Sequence, residues 1–420
     1  MKIKNTLSNN ICVGIDIGTT KICCVVGEVD LDNIEILGIG VSNSNGVKKG
    51  SVIDIDKTIN SIEDAVNKAE KMSGKKISEA TVGISGDHIS SMSAQGAIAI
   101  SKGQPISDEE EISKLEVEQV LNQARSVSLP SDRQILHLIP QEFVIDQQHG
   151  IKNPIGMVGR RLEANFHLIS CDTSASKNIK KCVEEAGIKP LRIVYQSLGS
   201  AASVLEKHEK DLGVVLIDIG GGTTDICIFF EGEVRHSAVI GLGGNNISND
   251  IAAITQISKY EAELIKRNYG SAKANMVSDE LNIELKSKGD EKYRKESERQ
   301  ISNYIEARMT EIFNMVNNEI QKANIKSPYP LKIVLTGGGS LLKNSSILAQ
   351  EIFNSKVKIG IPKGLNKLDE IKSSPIYSTG IGLINYPELV FDDSKINRKI
   401  VPNGISKGVT NIIEWFKEFF

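Results

Sequence analysis

The feature of this 420-residue chain that most constrains its fold is a short motif that occurs twice. The segment GIDIGTTKIC begins at Gly14, and the segment LIDIGGGTTDIC begins at Leu216. Aligned with a two-residue gap, the copies share Ile-Asp-Ile-Gly, then Thr-Thr, then Ile-Cys. Each copy predicts a buried strand, a glycine-containing turn and a second strand. The repeat therefore predicts an internal duplication, with two similar lobes that face a cleft.

The duplicated turn is suited to hold phosphate oxygens. Glycine has no Cβ, so the backbone N–H groups of such a turn can approach a ligand, and consecutive amides form a concave anion site. Asp16 and Asp218, at the strand ends, would orient the water molecules of a bound Mg²⁺. The alternative is a plain hairpin in each lobe, but the matched Asp and Thr-Thr of both copies favour a polyphosphate clamp. The predicted phosphate ligands are Gly18, Thr19, Thr20 and Lys21 in one turn and Gly220, Gly221, Gly222, Thr223 and Thr224 in the other.

A third glycine cluster lies in IVLTGGGSLL, which begins at Ile333. A buried strand runs into Gly337, Gly338, Gly339 and Ser340, where the backbone can approach a base or a ribose without obstruction by side chains. A tight strand-to-helix turn is the alternative interpretation. The chain contains neither GxxxxGK[ST] nor GxGxxG, so the sequence argues against a P-loop and against a dinucleotide site.

Composition excludes several classes of protein. The hydrophobic content of 40% and the charged content of 25% are typical of a globular protein. A net charge of −3 and an aromatic content of 5% argue against a nucleic-acid partner. The six cysteines form no CxxC pair, which favours buried free thiols in a reducing compartment. No run of about 18 apolar residues is present, so we expect no membrane span.

Changes in composition and in the pattern of apolar residues divide the chain into five parts. Residues 10–85 and 164–196 form the first lobe, and residues 86–163 are predicted to be an inserted subdomain. The second lobe spans 197–386 and includes an outer subdomain at about 244–325, within which the polar stretch 271–299 is interpreted as a solvated face or a mobile insertion. A linker at 387–404 and a terminal helix at 405–420 complete the chain.

The terminal segment ISKGVTNIIEWFKEFF predicts an amphipathic helix. At about 100° per residue its bulky apolar side chains fall within an arc of roughly 160°, whereas Lys407, Glu414 and Glu418 lie on the opposite face. Large aromatic side chains on such a helix are suited to burial at the lipid headgroup boundary. Docking of the helix on its own domain or on a partner is the alternative. The predicted membrane-contacting residues are Ile412, Ile413, Trp415, Phe416, Phe419 and Phe420.

The three glycine motifs together resemble those of the superfamily that contains actin, DnaK-type chaperones and sugar kinases. This resemblance implies ATP and Mg²⁺ as cofactors. It also implies that a Glu-x-x-Lys pair on a helix of the second lobe contacts the adenosine, and Glu263 and Lys266 match that pattern. An exposed helix ion pair is the alternative for these two residues. The resemblance places Gln196 near the γ-phosphate as a tentative catalytic residue.

Within that superfamily the chain resembles the FtsA family of bacterial cell-division proteins. The most specific stretches are SGDHIS, LHLIPQEFVIDQQHGIKNP, IDIGGGTTDI and RHSAVIGLGGNNISNDIA. The resemblance implies an α/β, actin-like ATPase fold with two duplicated lobes around a nucleotide cleft, an FtsA-type inserted subdomain and a C-terminal amphipathic helix.

The same resemblance carries functional expectations. It implies ATP binding with slow or negligible hydrolysis, and self-assembly into filaments. It also implies a peripheral location on the cytoplasmic side of the inner membrane at the division site, contact with membrane lipids, and recruitment of later divisome proteins. The C-terminal peptide of FtsZ is expected to dock on the outer part of the second lobe, at about 240–325.

Two alternative functions belong to the same fold: an ATP-dependent small-molecule kinase and a pilus-assembly or chaperone-like ATPase. A kinase needs a general base in the cleft, and the sequence offers no convincing one. Pilus-assembly and chaperone-like relatives would lack the insertion IPQEFVIDQQHGIKNP, and a terminal helix rich in Trp and Phe serves neither alternative.

Overall fold

The computed structural model describes residues 11–30, 33–100, 110–286, 293–363 and 374–386. The predicted linker at 387–404 and the predicted terminal helix at 405–420 lie outside these ranges. Within them, no helix combines the length and the apolar character needed to cross a bilayer.

The first lobe begins with three antiparallel strands, after which helix α1 leads to a strand that lies parallel to the first. Helix α1 begins after Asp54, whose carboxylate accepts a hydrogen bond from the Lys57 amide, and it ends at Gly74 in the left-handed conformation. The elements are β1 (Ile11–Ile17), β2 (Lys21–Asp30), β3 (Asn33–Asn43), β4 (Val47–Lys48), β5 (Ser51–Val52), α1 (Ile55–Ser73) and β6 (Glu79–Ile84).

A subdomain with its own apolar core follows β6. Its elements are β7 (Ser90–Ala99), β8 (Glu110–Glu111), α2 (Lys114–Arg125), β9 (Arg133–Ile145), β10 (Gln148–Ile151), β11 (Val158–Gly159) and β12 (Arg161–Asp172). Four of the strands form an antiparallel sheet in the order β10-β9-β12-β7. Helix α2 begins with a capping box in which Ser113 and Glu116 satisfy each other's backbone amides.

The chain then returns to the first lobe and enters the second. Strand β13 completes the first sheet by pairing with β6. The elements of the return are α3 (Thr173–Glu185), β13 (Lys189–Tyr195), α4 (Gln196–Val204) and α5 (Lys207–Leu212). The strands of the second lobe are β14 (Val214–Ile219), β15 (Thr224–Phe230), β16 (Glu233–Ile240), β17 (Asn282–Lys286), β18 (Tyr293–Ser297), β19 (Lys332–Thr336) and β20 (Val357–Ile359). Its helices are α6 (Gly244–Thr255), α7 (Lys259–Tyr269), α8 (Glu298–Lys322) and α9 (Ser345–Phe353). The last described helix, α10 (Ser378–Ile384), packs against β1, β2 and α4 and so returns to the core of the first lobe.

The two main sheets have the same topology. The first has the strand order β3-β2-β1-β6-β13, and the second has the order β16-β15-β14-β19-β20. In each sheet three antiparallel strands precede two strands that lie parallel to the first of them. This correspondence confirms the duplication that the repeated motif predicted.

The polar stretch 271–299, for which we expect a solvated face or a mobile insertion, contains a hairpin with one exposed and one buried face in the part that the structure describes. Strands β17 and β18 form an antiparallel hairpin that leads directly into α8. The Ile283 and Leu285 side chains are buried in the apolar core of the second lobe. The alternation of these two apolar residues with polar ones is the strand pattern that the high overall polarity concealed.

A polar seam joins the inserted subdomain to strand β16, which is an edge strand of the second sheet. Gln141 donates to the Val234 carbonyl at 2.7 Å, and Ser91 donates to the Ser237 carbonyl at 2.6 Å. His167 Nε2 lies 2.8 Å from the Ser237 hydroxyl. Side-chain donors therefore satisfy backbone acceptors of this edge strand that another strand would otherwise pair.

Candidate functional site

The two duplicated turns have the same backbone geometry. Gly18 donates its N–H to the Lys21 carbonyl at 3.0 Å, and Gly220 donates its N–H to the Thr223 carbonyl at 2.9 Å. The last strand pair before each turn is Ile17 with Ile22 in one lobe and Ile219 with Thr224 in the other, so each turn contains four residues.

The alignment with a two-residue gap is therefore wrong in three dimensions. Thr19 and Thr20 correspond to Gly221 and Gly222, and Lys21 corresponds to Thr223. The backbone register is set by strand pairing and turn length, so the two Thr-Thr pairs are not equivalent. Thr224 already belongs to strand β15.

The tips of the two turns face each other across the boundary between the lobes. A Cβ atom at position 221 would lie 2.4 Å from Thr20 Cγ2, and one at position 222 would lie 2.6 Å from Thr19 Oγ1. Heavy atoms do not approach this closely without displacement, so only glycine fits at these two positions. The structure thus brings together the two segments that the sequence placed on opposite sides of a cleft.

The peptide groups of the second turn are oriented by helix α6. The carbonyls of Gly220 and Gly221 accept hydrogen bonds from Gly244 at 2.9 Å and from Asn245 at 2.8 Å. In a trans peptide the carbonyl of one residue and the N–H of the next point in opposite directions. The N–H groups of Gly221 and Gly222 therefore point away from α6, as donors to a phosphate oxygen would need to do.

The predicted threonine ligands differ in their surroundings. Thr20 is exposed at its turn, and Thr19 Oγ1 accepts a hydrogen bond from the Gly50 amide at 3.1 Å. Thr224 is fully buried and donates to the Leu242 carbonyl at 2.9 Å, so its hydroxyl faces the interior of the second lobe. The prediction that the Thr224 hydroxyl lies toward the phosphate groups does not agree with this position.

Asp16 and Asp218 lie at the ends of β1 and β14, and both are buried. Lys21 Nζ lies 3.2 Å from Asp16 Oδ2. Burial alone would lower the pKa of Lys21, but the interaction with Asp16, together with smaller contributions from Cys23 and Asp218, outweighs burial and raises the pKa. Burial raises the pKa of Asp218 to about 6, against the opposing effect of hydrogen bonds from Ser200 and Thr379.

A third buried carboxylate, Asp225, was missed by the sequence reasoning. It pairs with Asp218 in the register of β14 and β15, and it accepts hydrogen bonds from Ser85 of the first lobe and from Thr223 at 3.0 Å. Burial raises the pKa of Asp225 to about 7. The signal was available, because Asp225 directly follows the Thr-Thr pair, but the gapped alignment matched it with Lys21.

The third glycine cluster packs directly on the second turn. Gly337 has a φ of +77°, and a Cβ atom at this position would lie 2.2 Å from Asp218 Oδ1. A Cβ atom at Gly339 would lie 2.3 Å from Ile219 Cγ2, whereas one at Gly338 has its nearest neighbour, Ile376, 3.8 Å away. Gly338 is thus the glycine of this cluster with the most open face. The Ser340 hydroxyl donates to the Gly337 carbonyl at 2.7 Å, which holds the loop in shape.

Glu263 and Lys266 lie beside the second turn rather than on an exposed helix face. Lys266 Nζ lies 2.6 Å from Glu263 Oε2 and donates to the Gly244 carbonyl and the Ser248 hydroxyl, each at 2.9 Å. The Lys266 side chain is 12% exposed, and burial lowers its pKa, an effect that Glu263 partly offsets. Lys266 is therefore not part of a simple surface ion pair.

Gln196, the first residue of α4, lies beside the first turn. Its side-chain amide donates to the Ile17 carbonyl at 3.1 Å and is buried. Asp16, Lys21, Gln196, Asp218 and Gly337 are thus assembled where the two lobes meet.

An open cavity of about 610 Å³ lies elsewhere, between β3 and α1. The Lys68 ammonium at its edge donates to the Val41 carbonyl and to Asp64. This surface contains none of the residues that the repeated motif singles out, so we assign the site to the paired turns.

Comparison with known proteins decides the family. A model described as "Cell division protein FtsA" matches residues 215–382, and one described as "SHS2 domain inserted in FTSA" matches residues 86–170. FtsA of Pseudomonas aeruginosa is 42% identical over 380 residues, covering 90% of this chain and 89% of that protein. FtsA of Escherichia coli K12 is 35% identical, covering 97% of this chain and 98% of that protein. The chain belongs to the FtsA family.

Solved structures confirm the actin-like ATPase fold for this FtsA-family chain. The PilM–PilN type IV pilus biogenesis complex aligns with a TM-score of 0.64 at 15% identity, covering 89% of this chain and 98% of that chain. MreB5 of Spiroplasma citri bound to ADP aligns with a TM-score of 0.52 at 15% identity, covering 92% and 97%. At this level of identity the similarity establishes the fold alone.

Membership of the FtsA family supports a role in bacterial cell division. It separates this chain from the kinase and pilus-assembly alternatives, which share only the fold. The predicted membrane-contacting residues, Ile412 to Phe420, lie outside the described part of the chain.

Proposed function

We propose that this FtsA-family protein binds a magnesium–ATP complex between its two turns and forms actin-like filaments that anchor the FtsZ ring to the cytoplasmic membrane. The observation that carries the proposal is the pairing of the turns. Two glycine turns of equal length face each other, and a buried aspartate lies at the strand end before each. Such an arrangement offers amide donors from both sides and carboxylates beside them.

The donor set fits a magnesium–polyphosphate. Asp16 and Asp218 would hold the ion through its water molecules, and the ion would neutralise phosphate charge. The amides of the turns and the Lys21 ammonium would bind phosphate oxygens. The open face at Gly338, next to Asp218, leaves room for the nucleoside part of the ligand. The fold is shared with MreB5 of Spiroplasma citri, which has been solved bound to ADP and bound to AMPPNP.

Gln196 is the residue that we propose to position a water molecule for ATP hydrolysis. The bond from its amide nitrogen to the Ile17 carbonyl fixes the side chain beside the first turn. We expect turnover to be slow, because the neutral amide of Gln196 can orient a water molecule but cannot remove its proton. A Gln196→Ala variant should bind ATP normally and lose the residual hydrolysis, and full hydrolysis by this variant would exclude the role.

The outer part of the second lobe is the proposed dock for the C-terminal peptide of FtsZ. A groove of about 380 Å³ lies there, between α7 and β17. Leu264 and Tyr269 of its lining are 40% and 37% exposed, and Tyr260 and Leu281 nearby are 76% and 46% exposed. Exposed apolar side chains grouped around a groove are typical of peptide docking sites.

The terminal segment 405–420 is the proposed membrane anchor. One amphipathic helix with two acidic residues binds lipid only weakly, whereas a filament presents many helices together and gains avidity. ATP-dependent assembly would thus promote attachment of the FtsZ ring to the membrane. We propose in addition that the inserted subdomain contributes to the recruitment of later division proteins.

Co-sedimentation with lipid vesicles that contain anionic lipid tests this function. The full chain with ATP should pellet with vesicles and carry a labelled FtsZ tail peptide with it. A Phe416→Glu variant, on the predicted apolar face, should remain in the supernatant. The matched Asn411→Glu variant adds the same charge to the polar face and should pellet like the unmodified chain. Equal pelleting of both variants would refute membrane anchoring by this helix.

A further inference from the structure

The two oxygens of the Asp218 carboxylate have different surroundings. The Ser200 hydroxyl donates to Oδ2 at 2.5 Å, and Thr379 Oγ1 lies 3.3 Å from the same oxygen. Ser200 and Thr379 are also within hydrogen-bond distance of each other, at 2.9 Å. A buried carboxylate with two hydroxyl donors on one oxygen is held in a single orientation.

The other oxygen, Oδ1, lies next to the third glycine loop. A Cβ atom at Gly337 would lie 2.2 Å from it, so Oδ1 packs against a backbone position where only glycine fits. Anchoring Oδ2 therefore fixes Oδ1 beside the glycine loop. In the first lobe Lys21 contacts one oxygen of Asp16 instead, so the two lobes fix their carboxylates in different ways.

Thr379 belongs to α10, the last helix that the structure describes. Glycines allow the backbone of this helix to lie very close to α4 and β1. A Cβ atom at Gly382 would lie 1.7 Å from the Gly199 carbonyl oxygen of α4. A Cβ atom at Gly14 of β1 would lie 2.6 Å from the Gly380 carbonyl oxygen. The helix thus touches α4 and strand β1 of the first lobe while its first turn reaches Asp218 of the second. A shift of Asp218 cannot leave so tightly packed a helix unaffected.

We propose that Thr379 is a positioning residue for Asp218 and that it couples the magnesium–nucleotide site to helix α10. The proposal rests on the proposed function, because it assumes that Asp218 orients the water molecules of the ion. With the hydrated ion bound beside Oδ1, the Ser200 and Thr379 hydroxyls would hold the carboxylate in place, and a displacement of Asp218 would also displace α10 through Thr379. Residues 387–420, which include the proposed membrane anchor, follow this helix directly in the sequence.

The test uses the full chain and two readouts. Calorimetric titration gives the ATP affinity with Mg²⁺ and with EDTA, and hydrogen exchange reports protection of amides 378–384 when ATP binds. Thr379→Val keeps the shape of the side chain and removes its hydroxyl, and Thr379→Ser restores the hydroxyl. Ser378→Ala is the matched control, because the Ser378 hydroxyl contacts Thr336 at 2.8 Å and has no contact with Asp218.

Thr379→Val should weaken ATP binding about tenfold in Mg²⁺, leave it unchanged in EDTA, and abolish the ATP-induced protection of α10, because it removes one hydrogen bond to a charged group. Thr379→Ser and Ser378→Ala should keep the magnesium effect and the protection. An equal loss of affinity in Mg²⁺ and in EDTA would mean a merely structural role and would overturn the proposal, as would an unchanged magnesium effect. Failure of the unmodified chain to bind ATP would instead refute the proposed function.

Discussion

Ser85, the residue immediately after strand β6, donates a hydrogen bond to the carboxylate of Asp225 in the second lobe. Ser85 directly precedes the residues matched by the model of the inserted domain, and Asp225 is the second residue after the second turn. The hydrogen bond therefore connects the start of the inserted subdomain to the candidate nucleotide site. Any movement of the lobes relative to each other has to stretch or break it.

The raised pKa of Asp225 predicts a specific dependence of stability on pH. Burial raises the pKa of this carboxyl to about 7, so between about pH 4 and pH 7 the folded state keeps a proton that the unfolded state has released. Stability is therefore lost as pH rises through this window. Asp225→Asn, which mimics the protonated form, should raise the free energy of unfolding at about pH 8 by on the order of 3 kcal/mol and have little effect below about pH 4.

Urea unfolding in EDTA without nucleotide, at a series of pH values, measures this difference. In a Ser85→Ala background the effect should be larger, because the Ser85 hydrogen bond lowers the pKa of Asp225 and its loss raises that pKa further. A destabilisation by Asp225→Asn that is equal at every pH would contradict the assignment of a protonated Asp225.

The geometry of the third glycine cluster predicts that alanine substitutions at Gly337 and Gly338 differ in their effect on the free energy of unfolding. Gly337→Ala places a Cβ atom against Asp218 at a φ of +77°, so it should lower the free energy of unfolding by about 2 kcal/mol or more. Gly338→Ala has space for its methyl group and should change stability by less than about 0.5 kcal/mol. If nucleotide lies over this loop, Gly338→Ala should nevertheless weaken ATP binding. Equal stability losses in the two variants would contradict the described loop geometry.

The contact between the turn tips predicts an interaction between residues of different lobes. Gly221→Ala should force the tips apart and weaken magnesium–ATP binding about tenfold, because its methyl group overlaps Thr20. Thr20→Ala removes the two overlapping atoms, so the double variant should recover most of the lost affinity. A double-mutant cycle of dissociation constants gives the coupling, and simple additivity would show that the tips do not touch.

The polar seam predicts acid lability. Burial, reinforced by His236 and His137, lowers the pKa of His167 to about 3. As pH falls from about 6.5 toward 3, the unfolded state gains a proton that the folded state does not, and stability is lost by about 2 kcal/mol at pH 5. His167→Gln should flatten the pH profile of unfolding, with His149→Gln, at a largely exposed side chain, as the control. Identical profiles for the two variants would rule out this origin of acid lability.

The outer groove predicts a selective loss of FtsZ binding. Leu264→Asp places a charge in the groove and should weaken binding of an FtsZ tail peptide at least tenfold, measured by fluorescence anisotropy. Met72→Asp makes a comparable change at an exposed methionine of the first lobe, 53% exposed, and should leave binding unchanged. Normal binding by Leu264→Asp would place the peptide elsewhere.

Sequence reasoning predicted the parts of the site that depend on local pattern. The strand-turn-strand motif located both turns, and the third glycine cluster lies against Asp218. The features that sequence reasoning missed depend on contacts between residues that are far apart in the sequence. Equal turn lengths follow from strand register, and the contact of Thr379 with Asp218 joins residues 161 positions apart. Asp225 was missed because the gapped alignment of the two motifs matched identical residue types instead of equivalent backbone positions.

The central claim is that the paired turns clamp one magnesium–nucleotide, and calorimetric titration of ATP tests it most directly. The unmodified chain should bind one ATP per chain, more tightly with Mg²⁺ than with EDTA. Asp16→Asn and Asp218→Asn should each abolish the magnesium effect while the chain remains folded by circular dichroism. Absence of ATP binding, or a magnesium effect that survives both substitutions, would contradict the account.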